Sequence, residues 1–521
     1  MERKLAARAV SRRWDLLLTG VLALFLVGCL LFCTIPAVTG AEPPKAEQND
    51  EAGFEPIFNG KDLTGWEGKK EFWSVRDGAI TGQTTPENPT RGNTFLIWKD
   101  GEVDDFELRL SYRIDAGNSG IQYRSKHHGD FVVGGYQADI DSGDTYSGIL
   151  YEERGRGILA GRGEKVVMDA EGKKQSERFA DSKELQSKIK KLDWNEYTII
   201  ARGNHIIHKI NGHVTAEFID NQADKRSMAG ILALQLHAGP PMVVQFKNLR
   251  LKRTKLADGR KKVVMIAGTP SHGPGHHEFN AGVLLLKKCL QAVPNILPVA
   301  YLNGWPKDPT AFDNADSILL YMDGGGGHPL IREDRLLRFS RLMQNGVGLA
   351  CVHYAVEIPK DRGGPELLEW IGGFYERDYS INPHWTATFE SLPEHPITRG
   401  VRPFTLNDEW YFNMRFPLDA GAVQAILRAT PPDDKRGTPA AKEFPGRSEV
   451  LAWAIERADG GRGFGFTGGH FHRNWGDENF RRIVLNALLW TAKAEVPAEG
   501  VSSTLGENEL AQNLDPKGER K

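Results

Sequence analysis

The chain has 521 residues, more than one hydrophobic core usually supports, and its 40% hydrophobic content suits soluble globular units. With 66 Lys and Arg against 68 Asp and Glu, the formal net charge of -2 gives no reason to expect a nucleic-acid partner. Only 4 cysteines occur, too few for a disulfide framework, and Cys289 and Cys351 are expected to be buried as small apolar residues.

At the N-terminus, Arg3, Lys4, Arg8, Arg12 and Arg13 precede an apolar run from Leu16 to Val38, the order of a secretory signal. Residues 1–41 are therefore expected to direct export to the periplasm or the exterior, with cleavage near Gly40 or Ala41. Ser11-Arg12-Arg13 weakly resembles a twin-arginine signal and Leu26-Val27-Gly28-Cys29 a lipoprotein box, although the apolar run continues to Pro36. An uncleaved anchor is the alternative, since about 20 apolar residues span a bilayer. A membrane is expected only through this segment, if it is uncleaved or lipidated. Glu42 to Gly53 is a charged, loose lead-in.

The next stretch reads as strands. Phe106, Leu108, Leu110, Tyr112 and Ile114 alternate with Glu107, Arg109, Ser111 and Arg113, a period of two. Asn211-Gly212 between Ile210 and His213 predicts a tight hairpin turn. The Lys-rich sequence from Lys165 to Lys191 is expected to leave the sandwich as an excursion, and His205, His208 and His213 are expected to be solvated. Trp66, Trp73 and Trp194 read as sugar-stacking platforms or, more commonly, as core aromatics.

Within this β region lie four polar fragments: GNSGIQYR (Gly117 to Arg124), GGYQADID (Gly134 to Asp141), GILYEERGRG (Gly148 to Gly157) and LQLHAG (Leu234 to Gly239). Together with FNGKDLTGW (Phe58 to Trp66), WNEYTIIARGNHIIHKINGH (Trp194 to His213) and FKNLRL (Phe246 to Leu251), they resemble the 3-keto-disaccharide hydrolase family. The resemblance implies an all-β, concanavalin-like jelly-roll sandwich over residues 54–253 and a small carbohydrate substrate.

A ketone at C3 of a glycoside acidifies the C2 hydrogen, so a base can drive elimination of the C1 substituent, and water then adds back. Such a site needs a base, a donor or cation facing the enolate oxygen, and an acid for the leaving group. The candidates are Arg124 as cation, with Asp139, Asp141, Glu152 and His237 as acids, bases or ligands. Asn118, Gln122, Gln137, Tyr151 and Gln235 are candidate sugar contacts, although Asn118 and Ser119, between two glycines, also read as turn formers. The resemblance and the mix of carboxylates with His suggest a divalent metal, Mn, Mg or Ca, on Asp139, Asp141 and His237. A structural ion-pair network is the bland alternative for Arg124, Asp139 and Glu152. Where the family commonly reads Tyr-Glu-x-Gln before the Asp, this chain has Tyr136-Gln137-Ala138-Asp139, a carboxylate moved by two positions and so returned to the same strand face.

Lys252 to Lys262 reads as a polar linker, after which the period changes. VVMIAG (Val263 to Gly268), SILLYM (Ser317 to Met322) and VGLACVHY (Val347 to Tyr354) are buried parallel-strand runs separated by helical stretches such as Gly282 to Ala292 and Arg332 to Asn345. This alternation predicts a doubly wound α/β domain over residues 260–494, followed by a disordered tail, residues 495–521. Ordered fragments ending in NFRRIVLNALLW (Asn479 to Trp490) resemble the ThuA-like (trehalose utilisation) proteins, which implies a class I glutamine-amidotransferase-like fold.

His272, His276, His277 and Glu278 follow the first strand of this domain, and His353 follows the VGLACV strand, where α/β proteins place ligand sites. With Asp408-Glu409-Trp410-Tyr411 and Gly468-Gly469-His470-Phe471-His472 they make a candidate His/carboxylate cluster, with His277, His353, Glu409 and His470 as its sugar-binding members. Histidines that merely cap strands are the equal competitor. Amidotransferase chemistry is disfavoured: Cys351 is followed by Val-His-Tyr instead of a glycine, and HFHRNW lacks the His-x-Glu spacing. The expected function is an exported hydrolase of 3-keto-glycosides with a ketosugar-handling second domain; the alternative is a lectin-like sandwich with an inactive α/β companion.

Overall fold

The computed structural model describes residues 51–418 and 423–517, and residues 53–521 cluster as one compact unit. The segment expected to be an export signal lies outside the described residues. Among them, no helix is long and apolar enough to cross a membrane.

The first half is a two-layer β-sandwich. Strand Phe106–Ile114 buries every second residue, as its alternation requires, and lies between Asn195–Arg202 and Val243–Arg253 in the larger sheet. Among the described residues that sheet has 10 strands and the facing one 7, in the order Gly157–Ala160, Leu150–Glu153, Val133–Asp141, Asn118–His127, Ile231–Leu236, Thr94–Trp98, Trp66–Glu67. Leu108, Leu110 and Tyr112 from one sheet meet Ile121, Tyr123, Ala138 and Ile140 from the other in a shared core. The smaller sheet consequently turns Gln122, Gln137, Asp139 and Gln235 to its opposite face. This is a jelly-roll-like architecture. Asn211 and Gly212 both adopt positive φ, 50° and 81°, at the hairpin turn between His205–Ile210 and His213–Asp220.

Two expectations are corrected in this half, and the tryptophans divide between the two readings given for them. Residues 165–191 do not simply leave the sandwich: Glu164–Met168 pairs in parallel with His213–Asp220, and Lys174–Arg178 extends the large sheet beyond it. Both faces of Lys174–Arg178 are exposed, so it carries no period-two signal. His208 is fully buried, its imidazole 2.7 Å from the Tyr123 hydroxyl. Trp66 and Trp73 belong to the core, while Trp194 stacks under Lys247 and Arg113.

Among the described residues the second half is built on a mixed sheet of 7 strands in the order Ile296–Tyr301, Lys261–Ala267, Ser317–Tyr321, Gly348–Val352, Arg462–Phe466, Glu449–Glu456, Val423–Ala429. The first five run parallel, Glu449–Glu456 pairs antiparallel with Arg462–Phe466, and Val423–Ala429 pairs antiparallel with Glu449–Glu456. Helices Phe279–Gln291 and Glu478–Thr491 pack on one face, and Arg335–Gln344 and Gly364–Trp370 on the other. Strand C-termini thus open at one edge of the domain, where loops gather. A separate hairpin, His384–Phe389 with Phe404–Glu409, carries its terminal glutamate to that edge.

The polar linker between the halves is anchored by buried ions. Arg253 pairs with Asp104 at 3.1 Å and Asp308 at 2.7 Å, and Lys262 pairs with Asp104 at 2.6 Å. All four side chains are at most 4% exposed, so removing one would strand the others in a low-dielectric interior. The tail expected to be disordered is packed as far as Lys517: Val501 and Ser503 are 1% exposed, and Asp515 is buried against Asn280 and Glu278.

Candidate functional site

In the sandwich, Gln137 and Asp139 do share a face, and Asp139 is the centre of what gathers there. Asn118 Nδ2 donates to its Oδ1 at 2.7 Å and Gln137 Nε2 to its Oδ2 at 3.3 Å. Gln137 in turn accepts from Gln122 Nε2 at 2.7 Å, and Gln122 from the Ser125 hydroxyl at 2.8 Å. The chain of neutral amides leaves Asp139 without a cation, and burial pushes its carboxyl up to about 7, with Asp141 and Glu153 adding to the shift. Glu153, absent from the sequence reading, reaches Gln235 Nε2 and Asn93 Nδ2, each at 3.4 Å. Tyr151 stands beside these acids: burial, then Glu153 and Asp139, raise its phenol. The signal for Glu153 was available, since it lies two residues beyond Tyr151 on the same strand.

Several nominated residues are elsewhere. Arg124 is 1% exposed, and each guanidinium nitrogen donates to protein: Nε to Asp104 O, Nη1 to Gly203 O and Nη2 to Asp105 Oδ1, at 2.6–2.7 Å. Its φ of 47° sits in a register shift between Tyr123 and Lys126, which turns the side chain out of the strand's alternation. Arg124 is therefore a structural ion, as the bland reading had it. Glu152 points to the opposite side of its strand from Tyr151 and Glu153, bonding Arg156, which also binds Asp220. Asp141 accepts from the amides of Gly143, Thr145 and Tyr146 and so shapes a turn. His237 Nδ1 donates to the Ala238 carbonyl. No grouping able to hold a metal includes Asp139, Asp141 or His237 among the described residues, because their polar atoms are directed to these separate partners.

The second half does bring its nominated residues together. His277 Nε2 lies 3.0 Å from His470 Nδ1 and 3.1 Å from His353 Nε2; Glu409 Oε2 lies 3.2 Å from His470 Nδ1 and 3.5 Å from His353 Nε2. A tetrahedral ion with bonds of about 2.0–2.1 Å has ligand-to-ligand edges of about 3.3–3.4 Å, close to all four distances. Chemistry agrees with spacing. His353 Nδ1 faces the Thr467 carbonyl at 3.0 Å and His277 Nδ1 faces Asp323 Oδ1 at 2.9 Å, both acceptors, so both δ nitrogens carry hydrogen and both ε nitrogens offer lone pairs. Burial holds His277 down to about 2 and His353 well below the ordinary range, which keeps both imidazoles neutral.

Local backbone aims these groups. His277 and His353 have φ of 47° and 56°, left-handed values unfavourable for histidine, immediately after parallel strands or their loops. Gly469, at φ 122°, precedes His470, and Asp408 accepts from the Gly469 and Phe471 amides to hold that turn. Glu409 comes from the end of the added hairpin. Sequence reasoning missed Asp323, although it follows the Ser317–Tyr321 strand as His353 follows Gly348–Val352. Cys351 is fully buried within its strand and burial raises its thiol, so the turn where an amidotransferase would present its nucleophile presents His353 instead.

Residues 53–252 match the family model of the 3-keto-alpha-glucoside-1,2-lyase-like domain, and residues 263–491 match that of trehalose utilisation, ThuA. The chain joins these two families in that order. No curated protein matches it. Among solved structures it is similar to a provisionally named glycosyl hydrolase from Parabacteroides distasonis, 18% identical over 39% of this chain and 99% of that one, TM-score 0.27. A provisionally named ThuA-like protein from Bacteroides uniformis is 18% identical over 46% of this chain and 94% of its own, TM-score 0.35. Carbohydrate binding module CBM66 from Bacillus subtilis is 14% identical over 37% and 98%, TM-score 0.26. At family level the lyase-like and ThuA domains make this a carbohydrate-active, hydrolase-like protein.

Proposed function

We propose that the sandwich domain cleaves 3-keto-glycosides, with Asp139 as the base. The carrying observation is a buried carboxyl at about 7, among neutral amides, on the sheet face that also presents Tyr151, Glu153 and Gln235. A base with that affinity removes a carbon-bound proton at neutral pH without being permanently protonated or too weak. The C2 proton passes to Asp139, its electron pair delocalises onto the C3 oxygen, and the C1–O bond breaks as the leaving oxygen gains a proton. Water then adds across C1 and C2. Tyr151, held protonated, supplies a donor, and the Asn and Gln amides match sugar hydroxyls. Export is part of the proposal, on the basic-then-apolar order of residues 3–38, and the substrate is a small soluble carbohydrate.

Residues 42–521 would be incubated with a 3-keto-disaccharide and with its unoxidised parent, as wild type and as Asp139→Asn. Cleavage of the keto-sugar alone, lost in the variant, supports the reading. Binding of both sugars without turnover replaces it with a glycan-binding role.

A further inference from the structure

The second half contains a cavity of about 640 Å³ that the reading above does not use, bounded by Gly325, Tyr354, Glu357, Tyr375, Arg377 and Asn382. Its walls are also the supports of the histidine cluster. Asn382 Nδ2 donates to Glu409 Oε1 at 3.2 Å, and Asn382 Oδ1 accepts from the Tyr375 hydroxyl at 3.2 Å. Tyr375 packs on Tyr411 with ring centroids 5.2 Å apart, and the Tyr411 hydroxyl reaches His353 Nε2 at 3.4 Å. The Tyr354 ring lies 6.0 Å from that of His277.

We propose that this cavity and the cluster form a second catalytic site, in which His277, His353, Glu409 and His470 hold a divalent transition metal and Glu357 moves a proton on the carbon beside a sugar carbonyl. The proposal rests on the chain acting on ketosugars. Glu357 is half-buried and makes no side-chain hydrogen bond or ion pair among the described residues, unlike the acids that serve structure here. Burial, with the charge of Glu409, raises its carboxyl to about 7. Gly324 and Gly325 gain a reason: a Cβ on Gly324 would meet the Tyr354 and Glu357 carbonyls at 2.0 and 2.5 Å, and Gly325, at φ 64°, would carry a Cβ 3.2 Å from Glu357 Oε1. At Gly324 only glycine lets the loop pass against the Tyr354–Glu357 backbone and so border the cavity.

The lining selects the ligand class. Tyrosine hydroxyls, an amide, a carboxylate and a guanidinium suit a polyol better than an apolar molecule, and the volume lies within the ~300–1,000 Å³ usual for small-molecule sites. A bound metal would polarise a carbonyl oxygen. Glu357 then takes the proton from the adjacent carbon, the C–H pair becomes the C=C bond of an enediol, and the carbonyl pair moves to oxygen. Return of the proton restores the sugar, or yields an isomer when it lands on the neighbouring carbon and a hydroxyl proton shifts between the oxygens. No oxidant or second substrate is required. A free 3-keto-hexose, the product expected of the sandwich domain, is such an α-hydroxy ketone.

The test uses the full chain in an Asp139→Asn background, so that proton abstraction in the sandwich is silent. A free 3-keto-hexose in deuterium oxide is followed by proton NMR for exchange beside the carbonyl, and metal content is measured after exposure to Zn, Mn or Co and desalting. Expected are about one metal per chain, exchange above the uncatalysed rate, and a further Glu357→Gln change that keeps the metal but slows exchange by about 100-fold or more. His353→Ala and His470→Ala should lose the metal. A folded protein that takes up no metal, or exchange indifferent to Glu357→Gln, overturns the proposal. Because the probe has no glycosidic bond, its outcome is independent of whether the sandwich cleaves glycosides.

Discussion

His353 Nε2 and His277 Nε2 face each other at 3.1 Å with both δ nitrogens already donating elsewhere, so two lone pairs point into one space. That arrangement is repulsive without a cation between them, and Glu409 adds negative charge on the same side. Metal binding to the folded chain should therefore stabilise it, by about 4 kcal/mol at a free metal concentration 1,000-fold above Kd. Thermal unfolding of chelator-treated protein should shift upward by several degrees on reloading. His353→Ala should abolish the shift; an equal shift in that variant would mean the metal binds elsewhere.

Asp139 gives a pH prediction of definite sign. Its carboxyl has an ordinary value of 3.8 and is raised to about 7 in the fold by burial, with Asp141, Glu153 and Tyr151 as the titratable neighbours. The native state therefore holds a proton that the unfolded chain has lost, and stability falls as pH rises from about 4 to 7, by an amount on the order of a few kcal/mol. Catalysis runs the other way, since only the ionised carboxylate can act as base: kcat/KM for a 3-keto-glycoside should climb through about pH 7 and level off above it. Asp139→Asn should flatten this segment of the stability profile and lose turnover. An activity limb that persists in a Glu153→Gln variant, moved to lower pH by loss of the neighbouring charge, and that is absent in Asp139→Asn would assign it to Asp139.

What the sequence discloses follows from what each element exposes. Phe106–Ile114 was legible because one face is core and the other is not, whereas Lys174–Arg178 is exposed on both faces and has no pattern to read. The histidine cluster was legible as a set because its members stand after strands, the place where α/β domains build sites, but its donor atoms were not, since they depend on left-handed turns at His277 and His353. Arg124 misled for a related reason. A strand's alternation predicts side-chain direction only while the register holds, and it slips at that residue.

Arg124 consequently separates structure from catalysis. Arg124→Met leaves Asp105 buried and the Asp104 and Gly203 carbonyls without their donor, a loss of about 3–5 kcal/mol for a broken buried pair. Denaturant unfolding should show that loss, while kcat/KM per folded molecule stays within about two-fold of wild type. A large fall in kcat/KM at unchanged stability would return Arg124 to the active site.

The last prediction concerns the C-terminal segment, whose polar composition hid its packing. Lys517 Nζ donates to the His276 and His277 carbonyls and pairs with Glu278 at 3.2 Å, while the Asp515 amide donates to the Glu278 carboxylate at 2.7 Å. Lys517 is only 5% exposed, so its charge and its bonds are spent on the loop that carries His277. These contacts fix that loop from outside the family-matched region, which ends at residue 491. Truncation after residue 505 should leave the sandwich intact and its 3-keto-glycoside cleavage near wild type, yet weaken metal retention by about 10-fold or more, the scale seen when groups orienting a ligand are lost. Lys517→Met in the full chain should reproduce part of that loss without shortening the protein. Metal retention equal to wild type in both variants would show that the His277 turn is held by Asp323 and the strand alone.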